Sequence, residues 1–421
     1  MIFRRKRGLI ATVTGSLVSL CSMRRRRLKR GVLVSVCAAS FLIFRYSQMK
    51  PLTVPSTTEQ LNNLKADKGK GIVATANNSL SYFLNLPSSH AAPSEQNFSV
   101  TIAEAVQGRE PIVSILRKAG IIQMIPTEVL NLPKWQQVTD LYGDRPIVLG
   151  LERCKEFQRR VPHHSRYIGI AGNFNSGTTA FGLSLQANCG FFNRRQNRSN
   201  ELVTDVHGML NQVPWAKHKQ ASLKYNHTIQ SAIIKDHVLP VVLVRDPYYW
   251  MQSMCKQGYG VRWDHSPRKH CPNLVPNDYD RRRFRRLKNA SSVPVWQGSN
   301  LKNGPSWQSL AHFWNDWYEL YLRENYPRLI IRFEDTLFHG EEVMEKVCNC
   351  AGGKQPKHFT YVIDNAKWDH KHAQNNLVSA IVKYGTDARR YDNMTRDDLR
   401  FAARHLNPEL MKAFRYREHS A

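Results

Sequence analysis

Eight residues, Gly172-Asn173-Phe174-Asn175-Ser176-Gly177-Thr178-Thr179, are spaced G-x-x-x-x-G-T-T. Two glycines permit a tight turn. The backbone N–H groups of such a turn, with the N-terminus of a following helix, cradle a phosphate. A nucleotide triphosphatase loop has the same frame but reads G-x-x-x-x-G-K-[ST]. Here Thr178 stands where that lysine would reach the terminal phosphates, so the turn keeps anion chemistry without the usual charge for ATP. A second cluster follows. Arg245-Asp246-Pro247 closes the apolar run Val241 to Val244, and Ser253 lies eight residues after Arg245. A cation at a strand end and a hydroxyl two turns into the next helix can both reach one phosphate.

The elements that must position these groups are legible. Tyr167 to Ala171 reads as a buried strand, and Ala180 to Leu185 as the first turns of a helix. Val241 to Val244 is apolar and β-branched throughout, as a strand buried on both faces requires. Pro247 suits the first turn of the helix carrying Ser253.

In this order and separation the two clusters resemble the P-loop sulfotransferases. The resemblance implies an α/β chain with a three-layer α/β/α fold and a central parallel sheet, the nucleotide lying across the C-terminal strand ends. It implies 3′-phosphoadenosine 5′-phosphosulfate (PAPS) as donor, with no metal. Gly172, Asn175, Ser176, Gly177, Thr178 and Thr179 would hold its 5′-phosphosulfate end, and Arg245 and Ser253 its 3′-phosphate. Arg328 to Leu337, reading RLIIRFEDTL, resembles an "RYEDL" element found late in such domains. The likeness covers roughly residues 145–260 and 305–345. Arg389 and Arg390 are further candidates for the 3′-phosphate.

One position departs from the pattern. Many members of the family carry Lys or Arg two residues before the second loop glycine, where it stabilises the leaving oxygen. This chain has Asn175. Either another cation, Lys217 or Lys235, substitutes, or the chain is inactive. A general base must take the acceptor proton. The order of candidates is His218 in the Pro-Trp-Ala-Lys-His cluster, then His237, then Glu201, and residues 191–202 read as an acceptor-side loop.

The 421 residues carry a net charge of +28. Residues 1–50 hold twelve Lys and Arg and no acid, leaving 28 − 12 = +16 on the rest. Such charge calls for a polyanionic partner or an anionic surface. A nucleotide donor and an acidic glycan acceptor meet that need without nucleic acid. Residues 256–305 form a long basic insertion with little apolar periodicity, including the run Arg281 to Lys288. It reads as either a solvated excursion or a cradle for an acidic glycan.

Residues 1–30 read as a basic cytoplasmic segment. The 14 apolar residues Gly31 to Phe44 fall below the roughly 20 of a full span. Flanking Arg30 and Arg45 extend them by snorkelling. The expectation is a type II signal anchor over 31–46 in the Golgi membrane, a flexible stem over 47–105 and a lumenal sulfotransferase domain over 106–421. The rival is an organelle transit peptide, since the first acid is Glu59. Six cysteines lie beyond the leader, with Cys255–Cys271 the preferred bridge and Cys348-Asn349-Cys350 not expected to close on itself. Six glycosylation sequons, at Asn77, Asn97, Asn197, Asn226, Asn289 and Asn393, agree with a lumenal location. The expected activity is sulfuryl transfer from PAPS to a hydroxyl, expected on a carbohydrate. The alternatives are a catalytically degenerate polyanion-binding protein and a P-loop nucleotide kinase.

Overall fold

Three strands of this chain end side by side. In the computed structural model they are β2 (Tyr167–Gly172), β3 (Val238–Val244) and β7 (Leu329–Arg332). The parallel register sets Gly172 opposite Leu243 and Val244 opposite Arg332. The next residues of each strand, Asn173, Arg245 and Phe333, therefore emerge at one end of the sheet. The structure describes residues 101–121, 123–190, 212–229, 231–298, 304–363 and 376–419. Contacts separate Met1–Leu80 from Ser81–Ala421, and everything described lies in the second unit. The anchor expectation, the stem up to residue 100, Glu201 and the 191–202 loop fall outside the described residues; the last residues expected in the stem instead enter the helix Ile102–Val106, with Ala105 buried. Among the described residues no helix is long and apolar enough to cross a membrane.

The chain is a mixed α/β protein. Its larger sheet runs in the order β1-β7-β3-β2, with β1 (Val148–Leu149) antiparallel to β7. The sheet is therefore mixed rather than the central parallel sheet expected, and β1 is only two residues long. Gly150 turns left-handed at φ 93° and ends it. Alternation along β3 explains why the strand reads as continuously apolar. Leu239, Val241 and Leu243 join a core with Phe157 of α2 (Cys154–Arg160), Phe181 and Leu185 of α3 (Thr178–Asn188) and Val343 of α8 (Gly340–Ala351). Val242 and Val244 join the other core, with α4 (Pro247–Lys256) and the aromatic stripe of α6 (Leu310–Arg323). Both faces are thus covered by helices, as a buried parallel arrangement requires. Trp314, Trp317, Tyr318 and Tyr321 of α6 are fully buried. The described residues open with a helix at Ile102, set by a capping box between Thr101 and Glu104.

Residues 256–298 correct the expectation of an aperiodic insertion. They hold β4 (Val261–Trp263) and β5 (Val295–Gln297), which form a second, antiparallel sheet with β6 (Ser306–Trp307). They also hold helix α5 (Asp278–Arg283) and the buried side chains Leu274, Leu287 and Val293. The Cys255–Cys271 bridge closes the base. Cys154–Cys350 and Cys189–Cys348 tie α2 and the end of α3 to α8. The C-terminal segment forms two helices, α10 (Arg396–His405) and α11 (Pro408–Ala413), because Asn407 caps a new start and Pro408 cannot continue the old one. Helices α1 (Glu110–Lys118), α7 (Phe333–Phe338) and α9 (Leu377–Tyr384) precede them in the chain, with further helices at Ile102–Val106, Pro126–Leu130 and Trp135–Tyr142.

The subdomain is fastened to α10 through a buried histidine. His270 Nδ1 lies 2.5 Å from Asp280 Oδ2 and Nε2 lies 2.7 Å from Asp398 Oδ2. Both ring nitrogens can donate only in the imidazolium form. Burial opposes that charge, but the hydrogen bonds and charges of Asp398 and Asp280 outweigh it and raise the pKa of His270. A histidine held charged in the fold stabilises fully below its unfolded value of about 6.5 and loses that contribution as pH rises through its raised folded value. His270→Asn is expected to cost about 3–5 kcal/mol at pH 6, because two carboxylates lose a buried cation. The cost shrinks at pH 9, and thermal denaturation at the two pH values measures it. An equal loss at both would show that the histidine is neutral in the fold.

Candidate anion and nucleotide site

The turn after β2 is built by its glycines. Gly177 has φ 87°, and a Cβ there would lie 2.2 Å from the Phe333 ring. A Cβ on Gly172 would lie 2.4 Å from Ser176 Oγ. Ser176 Oγ donates to Asn173 O at 2.7 Å, so this serine shapes the loop with its side chain and offers a ligand its backbone. Helix α3 begins at Thr178 without a side-chain cap and without an acid in its first turn. Its first N–H groups therefore point, uncompensated, at the space over the strand ends. Asn173 Nδ2 is buried in the same loop without a hydrogen-bond partner.

Asn175 has φ 60°, a left-handed conformation that asparagine tolerates better than most residues. Its side chain donates to Gln257 O at 2.8 Å, just past the end of α4, and its carbonyl accepts from Arg245 Nη1 at 2.6 Å. Asn175 is thus a strut between the loop and α4. Two other expected residues arrive beside it. Lys217 O accepts from Gly172 N at 2.8 Å, and the Lys217 ammonium lies 3.5 Å from Thr179 Oγ1. His218 Nδ1 lies 2.7 Å from Gly172 O, and its ring packs on Phe174 at 4.5 Å. A nitrogen facing a carbonyl must carry hydrogen, so Nε2 is the basic nitrogen of the neutral ring.

Lys235 and His237 do not reach this site. They form the turn before Val238, at the N-terminal end of β3. Seven strand residues at about 3.3 Å each separate them from Arg245. Lys235 instead donates to Tyr225 O at 3.3 Å. Arg390 is also committed elsewhere. It is buried, with its Nε and Nη2 both 2.8 Å from Asp246 Oδ2.

Arg245 is buried, and its Nε has no hydrogen-bond partner. The guanidinium stands 5.0 Å from the Phe333 ring and 4.7 Å from the Tyr384 ring. Burial is the main force pulling its pKa down. Lys383 lies 5.1 Å from the same Tyr384 ring. Burial first, then the charges of Arg245 and Lys256, push its pKa down to about 7. Sequence reasoning passed over Lys383, although its signal was a lone cation in an apolar helix, Leu377-Val378-Ser379-Ala380-Ile381-Val382-Lys383-Tyr384. Ser253 lies half-buried on α4, its Oγ donating to Tyr249 O at 3.0 Å. Beneath the cations the carboxylates are spent. Glu334 accepts from Asp246 N and the Tyr416 hydroxyl, and burial followed by the charge of Asp246 pushes its pKa up to about 7. Asp335 is paired with Arg332 at 2.6 Å. The result is a set of buried or half-buried cations and orphan donors suited to a phosphorylated anion.

Comparison with protein-family profiles, curated proteins and solved structures finds no match to this chain.

Cations gathered in this way repel one another. Lys383 is protonated more readily in the unfolded chain than in the fold, so it lowers stability most below pH 7 and the penalty fades as pH rises toward its ordinary value of about 10.4. Lys383→Met is expected to raise the melting temperature of the ligand-free protein at pH 6. It should also weaken binding of a phosphorylated nucleotide about tenfold or more, the loss of one charge-assisted contact. Calorimetric titration in two buffers of different ionisation enthalpy should show proton uptake on binding at pH 7.5 in the wild type only. A variant that binds as well as wild type would remove Lys383 from the site.

Proposed function

We propose that this domain is a PAPS-dependent sulfotransferase with the three-layer α/β/α arrangement of the P-loop sulfotransferases, acting on a carbohydrate hydroxyl. The observation that carries the reading is the pairing of an uncapped, glycine-built loop with the unpaired cations Arg245 and Lys383 at one sheet end. One part suits a 5′-phosphosulfate, the other a 3′-phosphate. Arg245 Nε and Asn173 Nδ2 are buried donors that such a ligand would satisfy. The donor supplies the sulfuryl group and departs as the bisphosphate.

The remaining chemistry falls to side chains. His218 Nε2 accepts the acceptor's proton, while the carbonyl of Gly172 fixes the ring through Nδ1. Lys217, buried beside Thr179, supplies the positive charge that Asn175 lacks. Loop, helix N-terminus and cations hold the two reactants in line, which is where most of the acceleration in such group transfers originates. Three disulfides and the exposed sequons Asn226, Asn289 and Asn393 favour an oxidising, lumenal compartment. A Golgi location and an N-terminal anchor are part of this proposal.

The test is ligand-dependent thermal stability of the full chain with 3′,5′-adenosine bisphosphate or with ADP and Mg²⁺. A ligand that binds the folded state raises the melting temperature. Stabilisation by the bisphosphate without metal is expected, and lost in Arg245→Ala. His218→Asn should keep that response but lower sulfate transfer about 10²–10⁴-fold. A response to ADP and Mg²⁺ alone would favour a kinase. Bisphosphate binding with no transfer to any glycan in the wild type would favour a binding-only protein, with Asn175 the reason.

A further inference from the structure

The basic run of residues 256–298 has no part in the chemistry above. Ten Lys and Arg stand there against three Asp and no Glu. Lys256 ends α4 and Lys288 is exposed after Leu287; the fold divides the other eight into two groups. Arg281 is internal, its Nη1 donating to the carbonyls of Leu287, Lys288 and Ala290 at 3.1, 3.2 and 3.0 Å. Arg286 forks onto Asp264 at 2.9 and 2.8 Å and covers the Trp296 ring. Asp280 is consumed by His270. Only Asp278 remains exposed, in the first turn of α5, where it complements the helix dipole.

The second group is Arg262, Arg268, Lys269, Arg282, Arg283 and Arg285. All six are exposed. None forms an ion pair among the described residues. They lie on one welded unit. Ser266 meets the Tyr279 hydroxyl at 3.4 Å, and the His270–Asp280 and Arg286–Asp264 contacts join the 264–270 turn to α5 and the residues after it. The unit abuts the anion site directly. Tyr259 stacks on Phe174 of the loop at 5.6 Å, and Asn175 holds Gln257 O. Arg262 follows on β4, exposed between the buried Val261 and Trp263.

We propose that this cationic edge docks an acidic glycan chain, bearing sulfate or carboxylate groups, as the acceptor polymer of the adjoining site. The proposal rests on the transfer reading above. Fixed cations with no acidic partner gain affinity by releasing counterions from a polyanion. Three disulfides favour an oxidising compartment, where nucleic acid is not the usual polyanion. A membrane surface fits poorly, because cationic membrane faces carry apolar residues that insert. Among the exposed large hydrophobic residues only Tyr259 belongs to this segment, and its ring is stacked on Phe174.

The experiment uses the full chain, heparin as the probe, and the variant Arg282→Gln/Arg283→Gln/Arg285→Gln. At about 0.15 M salt the variant should bind heparin at least about tenfold more weakly, with a log–log salt dependence shallower by up to about three charges. Its melting temperature and its stabilisation by 3′,5′-adenosine bisphosphate should match wild type. Its KM for an acidic acceptor should rise with kcat unchanged. Arg281→Gln, by contrast, should lower the melting temperature. Unchanged heparin affinity in the triple variant would overturn the proposal, as would equal wild-type binding to neutral dextran. Tighter binding to phosphatidylserine vesicles than to heparin would overturn it in favour of a membrane face. If the triple variant loses heparin while wild type ignores the bisphosphate, the docking surface stands and the transfer reading falls.

Discussion

Two cations share one aromatic ring at the end of β3, and much of the architecture around them serves to keep anions away. Arg245 and Lys383 approach Tyr384 at 4.7 and 5.1 Å. Three carboxylates stand close by, and each is diverted. Asp246 turns to Arg390 and caps α4 through Tyr248 N. Glu334 takes the Asp246 amide and the Tyr416 hydroxyl, and Asp335 takes Arg332. Desolvated charge without a partner is expensive, and a fold ordinarily pairs it or neutralises it. Here the nearby acids are taken by Arg390, Arg332 and Tyr416, which leaves Arg245 and Lys383 without a carboxylate partner. That arrangement depends on register. Only because β2, β3 and β7 are parallel and end together do Asn173, Arg245 and Phe333 leave the sheet at one place.

Local signals carried this part of the molecule into the sequence. A two-faced apolar strand, a glycine at a position that needs φ 87° and a proline at a helix start are each written within a few residues. The Lys217-His218 pair was also readable, since it sits in a compact cluster between the two anion motifs. Long-range commitments were not readable. Nothing near Arg390 announces that Asp246, 144 residues earlier, will claim it. Lys235 and His237 looked close to Arg245 in sequence, but an extended strand turns eight residues into the full height of the sheet. The insertion looked aperiodic because its strands are two or three residues long, too short for alternation to show. Its order comes from a disulfide and from His270, whose two partners lie 10 and 128 residues away.

Asn175 joins these two stories. Read alone, it is a missing charge. In the fold it occupies a left-handed turn, accepts Arg245 through its carbonyl and reaches across to Gln257 through its amide. A lysine there could keep the first contact but would replace the second with a solvated ammonium, and a left-handed φ would suit it less well. The exchange gives up a cation and gains a strut between the anion loop and the base of the cationic subdomain. Phe174, one residue earlier, is held between His218 at 4.5 Å and Tyr259 at 5.6 Å. One dipeptide therefore touches the strand-end arginine, the segment that brings Lys217 and His218, and the first residues of the subdomain. Under the proposed reading, any movement of the subdomain on a bound polymer would be felt first at Phe174 and Asn175. The positive charge then belongs on Lys217, anchored by backbone pairing to Gly172, where such movement does not displace it.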